Sequence, residues 1–286
     1  MSSRCPSRPV RGRTSLAHGL IAALVACVAS IADPAYGDAR QLRVCADPDN
    51  LPYSSREESG YENRIARLLA QELNADLQYA WLPLQRGFVR KTLGAGLCDV
   101  VLGVPHEFGA LLTTQPYYRS AYMFVSRAAS GVPTSFDAPA MRELRIGIPL
   151  IGDEGAATPP AHALSYLGIS RNVSGYPLYG DTPQAERLIH ALASGDLDVA
   201  IVWGPQAVYY ARKQDVALAM SEAVAPRGLE GVPFEFSISM GVRKDNPGLR
   251  NELDAIITRR HADIDAILAS FGIPQVGRID QPENAQ

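Results

Sequence analysis

The chain has 286 residues, with 27 basic against 30 acidic side chains and a formal charge of −3. That mild acidity argues against nucleic acid or an anionic membrane surface as the partner and leaves a basic protein partner open.

The first residues read as an export signal. Arg4, Arg8, Arg11 and Arg13 precede an apolar run from Leu16 to Ala32, and Ala35-Tyr36-Gly37 puts small residues at the −3 and −1 positions of a cleavage site. The reading is a signal peptide over residues 1–37, cleaved after Gly37, and a periplasmic protein without a membrane span after processing. The apolar run is short for a retained anchor. Leu24-Val25-Ala26-Cys27 resembles a lipobox, which would make Cys27 a lipidated N-terminus; an apolar run that continues past Cys27 speaks against it. Cleavage removes four arginines and Asp33, so the charge becomes −6. About 250 residues remain, enough for two modest lobes with separate cores.

Only Cys45 and Cys98 survive processing. In an oxidising compartment two cysteines normally pair. If 42–46 and 99–103 are neighbouring parallel strands in register, however, Cys45 lies about four residues beyond Cys98, out of disulfide reach at ~3.3 Å per residue. Both a bond and two buried thiols stay open, with the register favouring thiols.

In chain order, strands and helices alternate as in a parallel sheet. Residues 42–46 form a strand that breaks into the loop ADPDNLPY. A helix follows Gly60, with apolar Ile65, Leu68, Leu69 and Leu73, and stops around Asn74. Residues 76–82 alternate like a strand, Arg86 to Leu93 read as a helix stopped by Gly94 and Gly96, and Cys98 to Val104 form an all-apolar central strand. Tyr117 to Tyr122 read as a first crossing between lobes. A second series follows: strand 144–150, a helix from Pro159, strand 173–179, a helix near Pro183 to Ala193, strand 198–203, a helix from Pro205 to Arg212 and strand 215–220. Residues 237–244 return to the first lobe, and Asn246-Pro247 opens a final helical stretch ending near Gly272. No internal repeat stands out. Lobe 1 is expected over 38–122 and 237–286, lobe 2 over 123–236.

Candidate binding residues fall just beyond strand ends, where open α/β sheets hold ligands. These are Asp49, Asn50 and Tyr53 after the first strand, Trp81 at the end of the second, and Trp203 after 198–202. Tyr117 and Tyr118 sit near the hinge. Each aromatic alone is as well explained by packing in its own lobe; the set together points to a large, partly apolar cleft. Thr158-Pro159 is a helix start behind Gly152-Asp153-Glu154-Gly155, whose free N–H groups either hold an anionic or carbonyl ligand or are simply capped. Arg86 and Arg90 share one helix face, set either for a carboxylate or for solvent. No nucleophile elbow, phosphate loop or dinucleotide fingerprint is present, and the histidines at 106, 162, 190 and 261 lack ligand spacing. His106-Glu107, adjacent to a strand end, is the one pair to note as an acid–base candidate, and a non-catalytic reading is favoured. No catalytic residue, metal or cofactor is expected.

The blocks VCADPDNLPYS, GYENRIARLLAQEL, CDVVLGVP, LTTQPYYRSAYMFV, TPPAHALSYLGI, GYPLYGD and DVAIVWGP, in this order, resemble the type II periplasmic solute-binding proteins. Within that class they are similar to the "J" proteins of the methanol-oxidation system, which are associated with pyrroloquinoline-quinone (PQQ) alcohol dehydrogenases. The resemblance implies an α/β clamshell of two lobes, each a mixed, mostly parallel sheet flanked by helices, and a monomer. Amino-acid-binding members carry a ligand-carboxylate arginine about ten residues before the hinge tyrosines, where this chain has Glu107. They carry a ligand-ammonium aspartate where this chain has Trp203. A zwitterion would therefore be left unpaired, at a cost of several kcal/mol in a closed cleft. The resemblance implies a non-enzymatic accessory protein that assists maturation or activation of a periplasmic PQQ-dependent methanol or alcohol dehydrogenase, its cleft taking a peptide segment or a small molecule. The competing reading is the substrate-binding subunit of an ABC importer for a small non-amino-acid solute.

Overall fold

The computed structural model describes residues 40–132, 134–150, 158–178 and 182–273. The export signal with Cys27, the Gly152-Asp153-Glu154-Gly155 loop, Tyr179 and the tail after Asp280 lie outside the described residues.

The first half begins with β1 (Gln41–Ala46), a short hairpin of β2 (Asp49–Asn50) and β3 (Ser54–Ser55), and helix α1 (Tyr61–Glu72). Then come β4 (Asp76–Trp81), the single-turn α2 (Phe88–Lys91), β5 (Val100–Pro105) and β6 (Leu112–Thr113). Strand β7 (Tyr118–Arg127) leads into the second half. That half holds β8 (Ile146–Pro149), α3 (Pro159–Tyr166), β9 (Val173–Tyr176), α4 (Gln184–Ser194), β10 (Val199–Trp203), α5 (Gly204–Ala211) and β11 (Leu218–Glu222). Strand β12 (Glu235–Val242) returns to the first half, where α6 (Pro247–Arg259) and α7 (His261–Ser270) close the described chain. The helix expected over 86–93 shrinks to α2, and the single final stretch is two helices broken at Arg260.

The strands join in the order β4-β1-β5-β12-β7-β10-β8-β9. β1 runs parallel to β4 and β5, and β8 runs parallel to β9 and β10. Within the sheet the two parallel sets are joined through antiparallel β12 and β7. Period-two alternation then sorts side chains to opposite faces. Val199 and Ile201 pack with Phe124, Phe136 and Ile146, whereas Ala200 and Val202 pack with Leu188, Leu192 and Tyr210. In the first half Leu42, Val44, Val100 and Leu102 bury against Ile65, Leu69, Leu253 and Leu268. The resulting α/β architecture matches the expected fold class.

Both halves are fastened by the same clamp. Arg43 donates through Nε and Nη2 to the Asp99 carboxylate at 3.0 and 2.7 Å, and its backbone N–H reaches the same group at 3.1 Å. Arg145 and Asp198 repeat this at 3.0, 2.6 and 2.8 Å. In each case an arginine in or beside the first strand of its set holds an aspartate immediately before the next parallel strand, so Leu-Arg and Asp-Val recur as 42–43 with 99–100 and 144–145 with 198–199. This is an internal structural repeat that the sequence alone did not disclose. Burial pushes the Asp99 carboxyl upward, but the bonds from Arg43 outweigh it and hold its pKa below the usual range.

Cys45 and Cys98 form a disulfide with Cα atoms 5.5 Å apart, against the expectation of separate thiols. The register argument fails because Cys98 is not in the strand. β5 starts only at Val100, and Val101 lies opposite Cys45. The Asp99 N–H donates to Arg43 O at 2.7 Å, and the chain before it lies over the sheet face bearing Cys45, beside Phe88, Leu93 and Val101. The bond closes a loop with a sequence separation of 53. Chain-entropy arguments give such a loop about 4 kcal/mol of stabilisation. Replacing both cysteines with serine should lower unfolding free energy by roughly that amount in a denaturant titration. Thiol titration of the unreduced, denatured mature protein should find none; two reactive thiols would contradict the pairing.

Candidate functional site

A cavity of about 630 Å³ opens where the two strand sets meet. The first half contributes the end of β1, the following loop with Asp47, Asn50 and Tyr53, Glu62 of α1, the segment Leu84–Val89 and the middle of β5. The second half contributes Pro149, Leu150, Thr158, Leu178, Gln184, Trp203 and Gln206, with Tyr122 from the crossing strand.

The loop after β1 is held in place by the helix it precedes. Asn63 Oδ1 accepts from the N–H groups of Gly60 and Ser55 at 3.1 and 3.0 Å, and the carbonyls of Pro52 and Tyr53 take the N–H groups of Tyr61 and Glu62, both at 2.9 Å. The start of α1 is therefore capped by the chain itself. A Cβ on Gly60 would lie 2.0 Å from Tyr53 O, so only glycine allows this approach. The Asp47 carboxylate accepts from the backbone N–H groups of Leu84 at 2.6 Å and Asp49 at 2.8 Å, tying the loop to the segment before α2. Across the cavity, Tyr210 of α5 donates its hydroxyl to Leu51 O at 2.9 Å, a direct link between the halves.

Trp203 ends β10 directly opposite Tyr122 of β7. Its ring meets Tyr122 edge-on at 5.3 Å and Phe236 at 5.8 Å, and it packs against the cores of both halves. It is a wedge at the junction and a wall of the cavity at once.

Glu62 is the acid that sequence reading missed. It is half-buried, lines the cavity and rests against the backbone of Gly103, where an added Cβ would lie 2.3 Å from Glu62 Oε1. Gly103 has φ +74 and sits beside an irregularity in the β5–β12 register between Ser239 and Gly241. Past it the side-chain alternation shifts, so that Val104 joins the same face as Val101. Burial among Tyr53, Tyr61, Tyr117 and Tyr118 pushes the Glu62 carboxyl up to about 8. The helix N-terminus would favour the anion, but desolvation wins here. Two signals were available: an acid in the first turn of a helix, and a glycine inside an otherwise apolar strand.

Of the expected site residues, Asn50, Tyr53, Arg86, Thr158 and Trp203 line the cavity, and Asp49, Trp81, Glu107, Tyr117 and Tyr118 do not. Tyr117 and Tyr118 are core residues. Tyr117 Oη accepts from Gly103 N at 3.1 Å, and the Tyr118 and Tyr61 hydroxyls bond at 2.9 Å. Trp81 stacks on Tyr79 with centroids 4.4 Å apart, with Arg56 5.7 Å from its ring. Asp49 is exposed in the hairpin. Glu107 is exposed at φ +60, its N–H on Thr113 Oγ1 at 3.3 Å, so it does not stand in for a ligand-binding arginine. His106 forms no acid–base pair with it, because Nδ1 lies 3.1 Å from Thr114 O and 3.0 Å from Ser239 Oγ. Thr158 caps α3, accepting from Ala161 N at 3.4 Å. Arg86 has a partner of its own, and Arg90 lies outside this cavity. Among the described residues no group of three or more His, Cys, Asp or Glu side chains is placed for a metal, and no helix is long and apolar enough to cross a membrane.

Two parallel-stranded halves, joined by antiparallel crossings and sharing one cavity at the junction, define a clamshell binding protein. The chain belongs to the bacterial extracellular solute-binding proteins, family 3, whose pattern it matches over residues 42–272. It is 32% identical to Protein MoxJ of Methylorubrum extorquens over 254 residues, covering 85% of this chain and 84% of that one. It is also 32% identical to Protein MoxJ of Paracoccus denitrificans over 263 residues, covering 87% and 94%. Among solved structures, the periplasmic binding protein XoxJ from Methylobacterium extorquens AM1 superposes with a TM-score of 0.68 at 34% identity, over 83% of this chain and all of that one.

Because the folded Glu62 holds its proton to about 8 while an unfolded glutamate releases it near 4.3, folding stability falls as pH rises from roughly 4.5 to 8 and then levels off. Glu62→Gln removes this loss. The variant should melt several degrees above the parent at pH 8.5 and within about 2 °C of it at pH 4.5, by differential scanning calorimetry. Equal shifts at both pH values would mean that the carboxyl titrates normally.

Proposed function

We propose that this protein is a non-enzymatic periplasmic solute-binding-like accessory protein that assists maturation or activation of a PQQ-dependent methanol or alcohol dehydrogenase. In this reading residues 38–122 with 237–286 form one lobe and 123–236 the other, and the cavity between them is the binding cleft. The observation that carries it is the charge state of that cleft, on a chain similar to MoxJ and XoxJ along nearly all of its described length. An importer subunit for amino acids needs a free guanidinium and a free carboxylate facing the ligand. Among the described lining residues Arg86 is already partnered and Asp47 is spent on two backbone N–H groups, while Glu62 is neutral at pH 7. The second reading, an ABC-importer subunit for a small non-amino-acid solute, draws on the preformed cavity, whose size suits one small molecule.

Deletion of the gene separates the two. On the accessory reading, periplasmic quinoprotein dehydrogenase activity falls at least tenfold while the dehydrogenase polypeptide remains, and a plasmid copy of the wild-type gene restores it. Unchanged dehydrogenase activity with a lost uptake capacity would assign the chain to import.

A further inference from the structure

We infer that the cleft holds an uncharged, ring-bearing, mostly apolar small molecule, and that the Glu62 carboxylic acid donates a hydrogen bond to a carbonyl or similar acceptor on it. This rests on reading the cavity as the ligand cleft and is independent of which protein partner the clamshell serves.

Size and walls set the ligand class. A cavity of about 630 Å³ lies in the range that encloses one drug-sized molecule. Its walls are mainly aliphatic and aromatic, with Tyr53, Phe88, Tyr122 and Trp203 offering ring contacts. Of the polar side chains facing it, Asn50, Gln85 and Gln206 offer neutral amides, whereas others are committed elsewhere. Gln184 Nε2 donates to the carbonyls of Leu150, at 2.8 Å, and Tyr176. Thr158 is occupied with its helix cap, and Asp47 and Arg86 have partners. A charged ligand would enter a mainly apolar-walled cleft without a free counter-ion among the described lining residues, which is costly.

Glu62 is different. Its carboxyl rests against the bulge at Gly103, and no hydrogen bond from the described residues satisfies it. The titratable groups facing it are Tyr53 from the loop, Tyr61 from α1, Tyr79 from β4, Tyr118 from β7 and Tyr117 just before it. Each of these tyrosines is shifted upward, chiefly by burial, so all stay neutral to pH 9.5. No cation acts on Glu62, and burial is the one cause of its own shift. A neutral acid in such a pocket presents one O–H donor, and it becomes an acceptor-only anion when it ionises.

The probe is prodan, a neutral naphthalene ketone whose emission reports both polarity and hydrogen bonding. It should bind the full mature protein at one equivalent at pH 6, with blue-shifted emission, and the affinity should fall at least tenfold by pH 9.5. Glu62→Gln, which keeps a donor but cannot ionise, should bind prodan equally at both pH values; Glu62→Leu should bind it weakly at both. Circular dichroism at each pH confirms that the variants are folded. Absence of saturable binding, a parent affinity unchanged between pH 6 and 9.5, or the same decline in Glu62→Gln would each overturn the inference. So would tighter binding of zwitterionic L-phenylalanine than of prodan. The accessory role is scored separately, by dehydrogenase activity in the complemented deletion strain, so either claim can fail alone.

Discussion

Two antiparallel crossings hold this molecule together. Strand β7 is shared between the halves: Tyr118–Ala121 pair with β12, and Tyr122–Ser126 pair with β10. The change of partner falls between Ala121 and Tyr122, and register then fixes Trp203 against Tyr122. Everything in the cleft follows from this geometry. The C-terminal ends of the parallel strands β1 and β10 face the same cavity, and the residues beyond them become its walls. A one-residue slip of β7 would turn Tyr122 to the opposite face and open the junction.

Around that junction the chain pairs its charged groups and presents mainly neutral ones to a ligand. Loop carbonyls cap α1, Asp47 serves backbone N–H groups, and the Tyr210 hydroxyl bridges the halves through Leu51. The repeated arginine–aspartate clamps sit at the opposite ends of the parallel strands, away from the cleft. Their role is to fix strand position. The cleft and the rigid frame are therefore two aspects of one arrangement, in which charges are paired at the base of each sheet and the charged groups at the cavity, Asp47 and Arg86, have partners of their own.

The sequence disclosed the order of elements, because apolar periodicity and Pro or Gly punctuation are local signals. The rule that strand ends in open α/β sheets face ligands singled out Trp203, Tyr53 and Asn50, and all three line the cavity. It misplaced Tyr117 and Tyr118, since a tyrosine pair at a crossing looks the same whether its hydroxyls meet a ligand or each other. The counted position of Glu107 fell on an exposed turn, where ungapped spacing carries no information about direction. The Cys45–Cys98 bond was lost through treating Cys98 as a strand residue, when the chain at that point crosses the sheet face. Glu62 was invisible because its chemistry comes from a bulge forty residues away in sequence, at Gly103, and from tyrosines on three other segments.

The central claim, that a solute-binding clamshell serves a quinoprotein dehydrogenase, is tested most directly by native purification of the tagged mature protein from its own periplasm. Mass spectrometry then identifies co-purifying proteins and retained small molecules together. The account predicts a quinoprotein alcohol dehydrogenase at near-stoichiometric yield. A stoichiometric charged metabolite with no dehydrogenase, and an importer permease recovered in its place, would contradict it.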